Sequence, residues 1–144
     1  MSLSNVSDLK PNLRKRIFAN LLDYGFYFAV ILAYMSYFGH ETEGGGMAVE
    51  GISALPIVIF WFVYFVIIEG IYGGTIGLLG FNLKVINVDG RDISLRNSLK
   101  RHLLDFIEIG LLGIPAIISI KNSDKYQRLG DMWANTIVVD FQDE

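Results

Sequence analysis

The sequence has no cysteine, so disulfides and thiolate metal sites are excluded. It has three prolines and two histidines in 144 residues. Nowhere does it show a Ser-His-Asp spacing, a zinc motif or a phosphate loop, so it reads as a non-enzyme with no cofactor and no metal. Charge is also scarce, at 19% of residues against 52% hydrophobic. The mean hydropathy of +0.42 is high for a soluble globule. The charges cluster between apolar blocks, so the net charge of −3 says little about partners, and nucleic acid is not expected among them. The length allows one domain over residues 1–144.

What is present is a set of long apolar runs. Ile17 to Phe38 carries one formal charge, Asp23. A helix of that length spans about 33 Å, enough to cross a hydrocarbon core of about 30 Å. Lys10, Arg14, Lys15 and Arg16 stand directly before it, which predicts a transmembrane helix entered from the cytoplasm, after a polar, mobile stretch over residues 1–13. The run is too long for a cleaved leader and lacks its small-residue cleavage pattern. Asp23 lies about 9 Å below Ile17, where an ionised carboxylate is costly unless paired, wet or protonated. Arg16, Asn20, Asp23 and Tyr27 are spaced four, three and four apart, with Tyr34 seven further on, so they share a helix face. That face is either a structural seam or part of a proton or cation site. Arg16 and Asp23 are about 10.5 Å apart along the axis, so a bridge, or a partner for each on another helix, is required.

Gly39 to Gly51 has no Lys or Arg and reads as the non-cytoplasmic loop. His40, Glu41 and Glu43 within it fit a solvated loop better than a divalent-cation site. Ile52 to Tyr72 is the second membrane helix, with Pro56 in its first turn and Glu69 in its last. Thr75 to Arg96 reads as cytoplasmic. Leu83 to Val88 is a predicted strand, Asp89-Gly90 a hairpin turn, and Ile93 and Leu95 fit a return strand. Thr136 to Val139 reads as another short strand, available to pair with the first or to pack with it on the helices. Leu99 to Ile120 is a third apolar segment holding Arg101, Asp105 and Glu108 on one face. Gly110, Gly113 and Pro115 interrupt it. It is either a third full span or a re-entrant helix pair; the basic residues Lys121, Lys125 and Arg128 favour the re-entrant form. The fold class is therefore a mainly α-helical membrane protein with two full spans, a third apolar helical segment and a small cytoplasmic β-element.

The order Arg16-x-x-Ala19-x-x-x-Asp23, Gly74-Thr75-Ile76-Gly77, Leu83-Lys84-Val85, Asp89-Gly90, Arg101 and Arg128-Leu129-Gly130-Asp131 resembles the RDD family of small prokaryotic membrane proteins. The resemblance runs from about Arg14 to Asp140. It places the family's arginine at Arg16 and its two aspartates at Asp23 and Asp131. Leu78 stands where the family usually has a lysine, and Asn82 where a glycine is usual. The resemblance implies membrane location and a transport role; some members look like cation/proton antiporters.

In this topology Asp23, Glu69, Asp105 and Glu108 lie in the cytoplasmic half of the membrane, with Arg16, Arg101 and His102 at its mouth. Four buried acids need protonation, arginine partners or a bound cation. One reading is a secondary transporter exchanging protons for Na+, Li+ or K+ through these carboxylates, with Asn20 and Tyr27 beside them. The other is a non-transporting scaffold or lipid- or partner-binding module whose arginine–carboxylate pairs lock the fold. Arg128 and Asp131 are expected as anchors at the membrane surface, Asp131 pairing with the N-terminal flank or with Arg101. The expected setting is the inner cell membrane, multi-pass, with the N-terminus cytoplasmic; the short chain suggests a homo-oligomer in the lipid bilayer.

Overall fold

The computed structural model describes residues 10–141; the polar stretch expected at the N-terminus lies, up to residue 9, outside the described residues. Helix α1 runs Leu13–Phe38, starting before the apolar run and drawing Arg14, Lys15 and Arg16 into its first turns. Helix α2 runs Gly51–Tyr72, opening on a 3-10 turn at Gly51–Ala54 with Pro56 just after it, where a missing N–H is harmless. Both are long and apolar enough to cross a membrane, yet only 11% and 17% of their most apolar stretches are buried. Phe18, Leu22, Phe26 and Leu32 of α1 point outward, as do Ile52, Leu55, Val58 and Ile59 of α2. The buried residues of α1 are Arg16, Ala19 and Asp23. This inverts the soluble pattern: greasy side chains outside, charge inside. Apolar patches of that extent are stable against lipid and unstable in water.

Between α1 and α2, strands β1 (His40–Glu41) and β2 (Met47–Ala48) pair antiparallel, so the acidic loop folds back on itself rather than staying open. Within α2, Phe62–Ile67 forms a π-helical turn, with the Ile68 N–H reaching back five residues to Val63 O. The widened turn brings three consecutive residues, Tyr64, Phe65 and Val66, inward together, which an unbroken α-helix does not do. It also sets Glu69, fully buried, toward the interior.

Helix α3 (Ile76–Gly80) is N-capped by Thr75 and packs on α1. Strand β3 (Leu83–Asn87) pairs antiparallel with β4 (Thr136–Asp140), from Leu83 opposite Asp140 to Asn87 opposite Thr136. The expected local hairpin is thus corrected. The turn exists, with Gly90 at φ 84°, but the return makes only the single bridge Ile86–Asp92. Leu95 begins a helix instead, because Ser94 caps it by accepting from Asn97 N. Ala19, Leu78, Leu83, Val85, Ile93 and Val138 form the core beneath this sheet. Asn82 sits at φ 58°, a left-handed position where glycine is the easy choice and asparagine the next best.

The third apolar segment is not one helix. It is split into α4 (Leu95–Leu103), α5 (Asp105–Gly110) and α6 (Ile114–Asn122). Leu112 at φ 56° and Gly113 at φ 72° turn the chain between α5 and α6, so no continuous third span forms here. The short helix α7 (Leu129–Ala134) then packs against α4 and leads into β4.

Candidate functional site

Helices α1, α2, α4, α5 and α7 bring their charged residues to one buried cluster. Its centre is Asp131, with no exposure. Arg16 Nη2 donates to its Oδ2 at 2.6 Å, Arg101 Nη1 donates to Oδ1, and Arg128 Nε reaches Oδ1 at 3.2 Å. The Arg128 N–H completes the set at 3.1 Å as part of a capping box at the start of α7. Gly130 permits this closeness: a Cβ there would stand 2.6 Å from Arg101 O. Burial pushes the Asp131 carboxyl up, but Arg101, Arg16 and Arg128 outweigh it and hold the group at about 2.

The other carboxylates extend the cluster. Arg101 Nε donates to Glu69 Oε1 at 2.9 Å, and Ser98 Oγ donates to the same oxygen at 3.0 Å. Arg128 Nη1 lies 2.8 Å from Asp105 Oδ1 and 3.6 Å from Glu108 Oε2. Tyr24 donates to Asp105 Oδ2 at 2.6 Å, and Leu129 N to Glu108 Oε1 at 3.1 Å. His102 sits between Asp105 and Glu69, with Nδ1 2.6 Å from the first and Nε2 3.2 Å from the second. Burial lowers its pKa, but the two carboxylates outweigh that and push it up to about 9. Protonated, it brings the cations Arg16, Arg101, His102 and Arg128 level with the carboxylates Glu69, Asp105, Glu108 and Asp131.

Asp23 stands apart from this exchange of charge. It is 2% exposed and accepts three hydrogen bonds, all from neutral donors: Tyr64 Oη at 2.9 Å and Gly77 N at 2.8 Å on Oδ1, and Thr75 Oγ1 at 2.5 Å on Oδ2. Gly77 is required for that approach, since a Cβ there would lie 2.3 Å from Ala19 O and 2.6 Å from Asp23 Oδ2. Among the described residues Asp23 has no arginine, lysine or histidine in contact. Of the two arrangements the spacing allowed, the structure has a separate partner for each group: Arg16 turns to Asp131 and to Tyr126 O, and Asp23 to Tyr64, Thr75 and Gly77.

A cavity of about 360 Å3 connects the two parts. Its lining includes Arg16, Asn20, Asp23, Glu69, Arg101, His102, Asp105, Glu108 and Arg128, together with apolar side chains of α1 and α6. Of the residues picked from the sequence, Tyr27, Tyr34 and Asp131 lie off the cavity lining; Tyr27 stacks on Phe60 at 5.6 Å and Tyr34 donates to Ser53 O. Leu78, in place of the family's usual lysine, is buried in the core and lines the same cavity. Sequence reasoning missed Tyr24 and Tyr64 as hydrogen-bond partners and gave Thr75 and Gly77 no role. The helix-capping threonine was visible as a signal; Tyr64, 41 residues from Asp23, had none.

The model of the RDD family matches residues 10–135. No curated protein and no solved structure matches the chain.

Proposed function

Because the chain belongs to the RDD family, we propose that it works as a small multi-pass transporter of the cell membrane, exchanging protons for monovalent cations at Asp23. The observation that carries this reading is the partnering of the carboxylates. Glu69, Asp105, Glu108 and Asp131 each face an arginine, whereas Asp23 is buried with neutral donors only. A buried carboxylate without a cation is stable when it holds a proton or a positive ligand, and that choice is the elementary step of exchange. Under this reading the charged cluster does no transport itself. It holds α1, α2, α4 and α7 in register, so that Asp23 meets the cavity. The basic start of α1 supports a cytoplasmic N-terminus, α5 and α6 form the re-entrant pair, and the short chain works as a homo-oligomer.

The test is proton movement in proteoliposomes holding a pH-sensitive dye, after addition of cation outside. Wild type should show cation-dependent proton flux, and Asp23→Asn, which mimics the protonated acid, should remain folded and lose it. A second reading, a membrane scaffold or lipid-binding module, is favoured by the closure of the ion-pair network, which has the form of a fold lock. Silence of folded wild type towards every cation supplied would favour that reading.

A further inference from the structure

We infer that the cavity is a binding site for an organic ammonium ion carrying an apolar body; resting on the exchange reading above, such an ion rather than an alkali metal is what trades with the Asp23 proton. An alkali cation needs several oxygen ligands to replace its hydration shell. At Asp23 the Tyr64 and Thr75 hydroxyls and the Gly77 N–H already turn their hydrogens to the carboxylate, so the oxygens around it face inward as donors. Among the described residues no group of three or more acids and histidines is placed to hold a metal ion.

The rest of the cavity is built for a different cation. Tyr24, Phe28 and Phe65 form an aromatic wall next to Asp23, with Tyr24 stacked on Phe65 at 4.8 Å between centroids and Phe28 6.5 Å from Tyr24. Ile117 and Ile120 of α6 line the same cavity. Aromatic faces attract quaternary ammonium through their quadrupole, and a weakly hydrated cation needs field rather than ligation. The sign of the field follows from the pairing. Each guanidinium in the lining is engaged by a carboxylate, so none is left over for an anion, and with His102 protonated an ionised Asp23 leaves one negative charge in excess. The volume of about 360 Å3 falls in the range of small-molecule sites, about 300–1,000 Å3. Leu21 and Leu112 line the cavity and are also exposed on the apolar outer surface. The mouth therefore lies between α1 and the α5–α6 turn, where an amphiphilic cation dissolved in lipid can enter.

The experiment uses the detergent-purified full chain, with benzyltrimethylammonium as probe and thermal unfolding and calorimetric titration as readouts. Benzylsulfonate supplies a similar ring with the opposite charge, and LiCl, NaCl and KCl supply the alkali ions. The expected result is saturable stabilisation by benzyltrimethylammonium, at least about tenfold tighter than by any of the others. Ile117→Trp, which fills the cavity, should weaken it by about tenfold, and Asp23→Asn should erase the preference for cation over anion. Equal or tighter binding of an alkali ion or of benzylsulfonate, or unchanged binding in Ile117→Trp, overturns the inference. Should Asp23→Asn not fold, the benzylsulfonate and Ile117→Trp comparisons decide. Asp23-dependent flux driven by alkali ions, without benzyltrimethylammonium binding, overturns the organic cation and leaves exchange standing. Benzyltrimethylammonium binding without proton flux supports the site and overturns exchange.

Discussion

Asp131 accepts from three guanidinium groups at once, and nothing else in the cluster could replace it. Asparagine has the same size but leaves Arg16, Arg101 and Arg128 without their shared counter-charge. Removing one partner of a buried pair costs about 3–5 kcal/mol, so Asp131→Asn should melt well below wild type in detergent and give a lower folded yield. Full thermal stability with lost activity would show instead that Asp131 is a functional ligand. His102 makes a second, pH-dependent contribution. Its pKa rises from 6.5 to about 9 on folding, so the stability it adds is complete below about pH 6.5 and is lost as pH climbs through 9. A melting series from pH 6 to 10 should show a fall in wild type that is missing in His102→Gln. Asp131 acts at the other end: its stabilisation is present above the ordinary value of 3.8 and disappears only as pH falls through about 2.

At the scale of the element, close approach decides what can change. Helix α3 reaches Asp23 only because residue 77 has no side chain, and α7 reaches α4 only because residue 130 has none. Gly77→Ala and Gly130→Ala should each be clearly destabilising, while Gly80→Ala, where a Cβ meets nothing within 4 Å, should stay within about 0.5 kcal/mol of wild type; thermal unfolding of the three variants checks the order. These elements also show where sequence reading reached its limit. The two apolar helices were legible because each run is long and apolar enough to cross a membrane; that their apolar faces are exposed rather than packed into a core came from the structure. The strand at Leu83 was legible from its β-branched alternation, and Thr136 to Val139 stood out as a strand it could pair with; the loss of the return strand at Ile93 and Leu95 was not legible, since the Asp89-Gly90 signal competed with the Ser94 cap and the cap won. The π turn at Phe62–Ile67 left no mark in an unbroken apolar run. Asp23 stood out as a buried charge, yet Tyr64, Thr75 and Gly77 lie 41 to 54 residues away, a distance no local pattern spans. The partners of Asp131 were foreseen in part, because a tail carboxylate needs a basic neighbour and the N-terminal flank and Arg101 offered it.

For the whole molecule, orientation is the first expectation. With α1 and α2 as the full spans, both termini fall on the same side, the cytoplasmic one by the basic flanks. Cysteines placed at Ser2 and Glu144 should resist membrane-impermeant labelling in sealed cells and react once the cells are opened. Labelling of Glu144→Cys from outside would require an odd number of crossings. The tie between α1 and the α7–β4 segment has a consequence in time. Arg16 and Asp131 are 115 residues apart, and Lys15 and Asp140 are 125 apart. A ribosome adding about 5–20 residues per second needs roughly 6–23 s to make the first of those stretches. For that interval α1 exists with the counter-charge of Arg16 not yet synthesised. Any chain cut short before α7 keeps Arg16 without Asp131 permanently, so the synthesis of α7 is itself the step that closes the charged cluster.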